Sequence, residues 1–110
     1  MPHESLPVNW VAPKIIRDIF NEGKFYERMI QGEFITTIKR SSHPNTPPDG
    51  EPYCTKSQIL FYIDHNNNLV AVVHQYLRFN GKLGASGLPD PKRLFLDDKI
   101  LAVRSEIKKP

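Results

Sequence analysis

Two apolar, β-prone runs flank an asparagine-rich turn near the middle of the chain: Ile59-Leu60-Phe61-Tyr62-Ile63, then Asp64-His65-Asn66-Asn67-Asn68, then Leu69 through Phe79. Asn tolerates the left-handed backbone that such turns require, and the runs on either side are rich in the β-branched and aromatic residues that suit a pleated surface. Residues 59–79 therefore predict an antiparallel hairpin. Successive side chains on a strand point to opposite faces, so Leu69, Ala71, Val73, Leu77 and Phe79 share one face with Gln75, and Val70, Val72, His74, Tyr76 and Arg78 share the other. The first face is the expected core.

The segments around the hairpin fill in a fold. Pro13 suits the first turn of a helix, and Ile15, Ile16, Ile19 and Phe20 make one apolar stripe at helical spacing. Phe25, Tyr26, Met29 and Ile30 repeat that spacing before Gly32, so the segment is one helix or an αα pair hinged at Gly23. A DNA-reading helix-turn-helix is disfavoured, because the second segment is too short and too apolar to present a polar recognition face. Residues 33–40 read as a strand. Arg93-Leu94-Phe95-Leu96 and Lys99-Ile100-Leu101-Ala102-Val103, joined through Asp97-Asp98, read as a smaller hairpin. The expected class is α+β: an N-terminal helix or αα pair packed on a small curled antiparallel sheet of about four to five strands. A chain of 110 residues is one domain with one core. Its irregular parts are an arm over 1–12, a Pro-rich loop over 41–57 and a basic tail over 104–110.

Composition narrows the function classes. There is no run of apolar residues long enough to span a bilayer and no basic-then-apolar leader pattern, so a cytoplasmic protein is expected. The single cysteine, Cys54, excludes an internal disulfide and any Cys-x-x-Cys motif. His43, Cys54, His65 and His74 come from separate segments without short ligand spacing, so no metal and no cofactor is expected. Cys54 lacks the context of a thiol nucleophile. The net charge of +3 is concentrated locally. Residues 74–93 hold four Lys/Arg against one acid, while the other ninety balance at eleven each.

That basic stretch carries the candidate chemistry. His74, Tyr76 and Arg78 stand in a row on one strand face. An imidazole or phenol placed there can move a proton, and a guanidinium can grip phosphate, as metal-free RNA cleavage requires. The following turn is rich in small residues whose amides can form an anion-binding nest, with Lys82, Gly84, Ser86, Gly87, Lys92 and Arg93 as the candidate anion ligands. It is not a Walker loop, since Gly84 and Gly87 lack the longer spacing and the Gly-Lys-Ser/Thr ending. Helices followed by a small antiparallel sheet with a basic face are also the arrangement of compact ribonuclease toxins from bacterial toxin–antitoxin systems, an analogy of architecture without a shared motif. The expected function is binding of RNA or another anionic ligand through this strand-loop face, with metal-independent RNA hydrolysis as its extension. The alternative is a non-enzymatic protein-interaction module using a sheet edge and the Pro-rich loop, with a homodimer as the default assembly.

Overall fold

The computed structural model of the protein describes residues 6–42, 50–52 and 54–104. The expectations for the start of the arm, for residues 43–49 and 53 of the Pro-rich loop and for the tail beyond Arg104 lie outside the described residues.

Pro13 does open a helix, α1 (Pro13–Glu22), on which Ile16 and Phe20, one turn apart, are the buried residues. The chain breaks at Gly23 and Lys24, the latter in the left-handed region at φ 56°, and a second helix follows, α2 (Phe25–Ile30). A side chain on Gly23 would run into the ring of Phe25. The segment is thus an αα pair.

Six strands form one sheet: β1 (Val8–Trp10), β2 (Ile35–Ser42), β3 (Lys56–Ile63), β4 (Leu69–Leu77), β5 (Asp90–Phe95) and β6 (Ile100–Ala102), in the spatial order β1-β6-β5-β4-β3-β2. All neighbours are antiparallel except β1, which runs parallel to β6. The sheet is therefore mixed and larger than expected. The extra strand is β1, drawn from the arm by pairing with a partner about ninety residues away, a contact no local pattern announces.

The central hairpin forms as expected, with Leu60 opposite Val73 and Phe61 opposite Val72. Asp64 Oδ1 accepts the backbone N–H of Asn66 and of Asn68, both at 2.9 Å, and Asn67 takes the left-handed conformation at φ 70°. Three boundaries differ from expectation. The β2–β3 ladder runs on to the Ser42–Ser57 pair, shortening the 41–57 loop, and β5 starts at Asp90, with Pro91 next to a register shift. β4 stops at Leu77, because Asn80-Gly81 turns the chain back: the Arg78 N–H donates to Lys82 O and the Gly81 N–H to Arg78 O. Phe79, assigned above to the core face, is 89% exposed.

Both helices lie on one side of the sheet. Ile16 and Phe20 pack with Leu60, Tyr62, Ala71, Val73, Leu94 and Leu101, and Phe34 completes the cluster. Phe20, Phe25, Phe34 and Tyr62 form a closed ring of aromatic contacts with centroids 5.5 to 6.2 Å apart. The other face of the sheet is covered by no described element, and this open face frames the site.

Candidate nucleic-acid interface

Alternation from the buried Ala71 and Val73 puts Gln75 on the helix side and His74 and Tyr76 on the open face. Their rings meet edge to face at 4.7 Å. His74 Nε2 lies 2.8 Å from the Ser57 hydroxyl on β3. Partial burial, reinforced by the Lys92 ammonium, lowers the His74 pKa below its usual value, with Asp90 opposing. At neutral pH this imidazole is uncharged and can act as donor or acceptor toward Ser57.

Arg78 does not join that pair. Its Nε and Nη2 donate to the two carboxylate oxygens of Glu51 at 2.9 and 3.3 Å, and the Ala85 N–H donates to the same carboxylate at 2.7 Å. Glu51's side chain is 4% exposed. The Arg78 and Ala85 donors lower its pKa. A Cβ on Gly84 would collide with this carboxylate. The small-residue turn thus does cradle an anion, and that anion is the chain's own Glu51. The guanidinium of Arg78, expected to grip phosphate, is thus engaged by Glu51.

The remaining expected ligands divide between two places. Gly84, Ser86 and Lys92 line a cleft of about 510 Å³ between α1 and the 84–90 loop, which abuts β4 at His74, Gln75 and Tyr76. Arg17 and Asn21, on α1, form its opposite wall. Asp90 sits between two cations there, with Lys92 Nζ at 3.1 Å and Arg17 Nη1 at 3.7 Å. Lys82 and Gly87 border a separate hollow of about 550 Å³ beside Tyr26 and Met29 of α2. Arg93 belongs to neither; it lies on the open face.

Sheet register makes that face a coherent surface. Thr37, Phe61, Val72, Arg93, Ala102 and Trp10 are successive partners across β2, β3, β4, β5, β6 and β1. Arg93 is therefore two strands, about 10 Å, from Phe61 on one side and from Trp10 on the other. Lys39 Nζ lies 5.0 Å above the Phe61 ring, and the Arg104 guanidinium lies 4.8 Å above the Trp10 ring. A bulge between Ile38 and Arg40 inserts Lys39, so two consecutive cations reach the same face: Lys39 over Phe61, Arg40 in register with Ile59. Lys39, Arg40, Arg93 and Arg104 make no ion pair among the described residues. Of these open-face groups, only Arg93, His74 and Tyr76 stood out in the sequence. The missed signal was the Lys39-Arg40 doublet within a β-rich run; Trp10 and Arg104 are joined only by long-range pairing.

Four acids, Glu33, Asp64, Asp97 and Asp98, line a cavity of about 820 Å³ at the other end of the sheet, together with Arg28 and His65. Glu33 pairs with Arg28 at 2.6 Å, and His65 Nε2 meets Gly32 O at 2.9 Å. Cys54 is exposed. No group of three or more His, Cys, Asp or Glu among the described residues is arranged to hold a metal ion, and no described helix is long and apolar enough to cross a membrane. Comparison with known proteins finds no matching family model, no matching curated protein and no matching solved structure.

Proposed function

We propose that the protein binds single-stranded nucleic acid, RNA in the first place, on the open face of its sheet. The observation that carries this reading is the row in which Arg93, without an ion pair among the described residues, stands midway between Phe61 and Trp10, with further cations laid over both rings. Proteins that hold single strands combine cations that follow the backbone with aromatic faces on which bases stack, and an exposed sheet is a common platform for it. Arg93 offers a planar fork to a phosphate. Trp10 and Phe61 offer ring faces once their cations swing onto phosphates, and Tyr76 with His74 extends the surface along β4. The expected loop ligands contribute less: Arg78 is satisfied by Glu51, and Lys92 shares Asp90. This favours binding over hydrolysis, because Arg78, the guanidinium expected to act with His74, is held by Glu51.

Salt dependence tests the reading. Four phosphate contacts, one each from Lys39, Arg40, Arg93 and Arg104, imply a slope of log K against log salt of about −2.8 on a single strand, or roughly fiftyfold weaker binding between 50 and 200 mM. Arg93→Gln is expected to cut the slope by about 0.7. A salt-independent affinity, or none for RNA or DNA at either salt, contradicts it.

A second reading is favoured by β2, an edge strand of eight residues exposed along its whole length, which could accept a strand from a protein partner. Ile38→Glu would then abolish capture of that partner while Arg93→Gln left it unchanged.

A further inference from the structure

The cleft between α1 and the 84–90 loop is not needed to lay a strand across the open face, yet it is built for a compact anion. Its charged groups are Arg17, Lys92 and Asp90, two cations to one carboxylate, which leaves a net positive charge. The Arg17 contact to Asp90 is long at 3.7 Å and engages one terminal nitrogen. Most of that guanidinium's five N–H donors stay available. Asn21, Gln75 and the Ser86 hydroxyl add neutral polar groups around the same space. At about 510 Å³ the volume is in the range of small-ligand sites, and Leu88 and Pro89 add an apolar part to its lining.

Its position relates it to the open face. The cleft meets β4 at His74 and Tyr76, whose side chains alternation places on the open side, and β5 starts there at Asp90, in register with His74. A strand running over the open face toward that end of β4 passes His74 and Tyr76, which also line the cleft whose opposite wall is α1. What distinguishes the end of a nucleic-acid strand from its interior is a terminal phosphate monoester, with more charge than a bridging diester and three free oxygens for a fork and an ammonium.

We propose that this cleft captures a phosphate monoester, the terminal phosphate of the strand bound on the open face, through Arg17 and Lys92. The proposal rests on the open-face reading for the strand, but not for the phosphate itself. On binding, Lys92 and Arg17 turn from Asp90 to the phosphate oxygens, with Ser86 and Asn21 as further donors. The ligand class is end-phosphorylated RNA, with a free mononucleotide as the other source of the same group.

The test compares one short oligoribonucleotide in three forms, with a 5′-phosphate, with a 3′-phosphate and with neither, by fluorescence anisotropy at one fixed salt concentration, alongside adenosine monophosphate followed by amide shifts in NMR spectra. One of the two phosphorylated forms is expected to bind about tenfold more tightly than the unphosphorylated strand, a difference of about 1.4 kcal/mol. Arg17→Gln and Lys92→Gln should each erase that preference and leave the unphosphorylated strand bound within about twofold. Arg93→Gln should weaken all three forms alike. Adenosine monophosphate should shift the amides of Ser86 and Lys92. Equal affinity for the three forms overturns the cleft proposal and leaves the open-face reading standing. Failure of every oligonucleotide to bind overturns the open-face reading, and the mononucleotide then decides the cleft alone: saturable shifts at Ser86 and Lys92 uphold phosphate capture, and their absence overturns it.

Discussion

Glu51 is the residue on which the loop region turns. Its carboxylate is held by Arg78 and by the Ala85 N–H, and the approach of the Gly84 backbone leaves no room for a larger residue. Because these donors favour the charged form, the folded-state pKa lies below the ordinary value of 4.5. Between those two values the unfolded chain binds more protons than the folded one, so stability rises with pH there. The contribution is fully present above about pH 4.5 and is lost as pH falls through the folded-state pKa. Glu51→Gln should flatten the acid limb of a thermal-melt series across pH 3 to 6 and lower the melting temperature at pH 7. Parallel wild-type and variant curves across that range would show that the cradle contributes no pH-dependent stability. The nest of small residues around Gly84 was legible in the sequence; its occupant was not, because Glu51 lies over thirty residues from Ala85 and nothing in its local context announces a buried partner.

At the scale of elements, most of what local chemistry dictates is legible in the sequence, and what distance dictates is not. The Asn-rich turn, the β-branched runs and the proline at the first turn of α1 act through neighbouring residues, and each gave its element. β1 and the ends of β2 and β3 exist only through pairing with remote strands. Phe79 was misplaced because apolar alternation continues past Leu77, while Asn80-Gly81 bends the chain first. The joint between the helices shows another conflict. Lys24 holds a left-handed backbone at φ 56° as the N-cap of α2, without a side-chain cap bond. A non-glycine residue pays roughly 1–2 kcal/mol in that region, and glycine's extra freedom in the unfolded chain returns part of it. Lys24→Gly is therefore expected to raise stability by up to about 1 kcal/mol in chemical denaturation, with the aromatic cluster unchanged. A loss of stability would mean that the lysine side chain contributes an interaction absent from the described contacts.

Over the whole molecule, the helices close one face of the sheet and leave the other open. Four acids cluster around the turns at one end, where Asp64 folds into its own turn and Glu33 into Arg28. Lys39, Arg40, Arg93 and Arg104, without ion pairs among the described residues, lie on the open face with Trp10, Phe61 and Tyr76. The local excess of charge between His74 and Arg93 is legible in the sequence, where it attaches to the strand and its loop. Register instead unites Arg93 with Trp10 and Phe61, residues from the arm and from the hairpin's first strand, and no single stretch of sequence holds the three. Trp10 is the only tryptophan. It stands in the proposed binding row and is 49% exposed, so it reports on the surface directly. Titration of a short single-stranded oligoribonucleotide, followed by intrinsic tryptophan fluorescence at low salt, is predicted to give saturable quenching as a base stacks on the Trp10 ring. The titration curve should move to higher concentration in Arg93→Gln. Unchanged Trp10 emission at oligonucleotide concentrations that saturate binding by anisotropy would contradict the account.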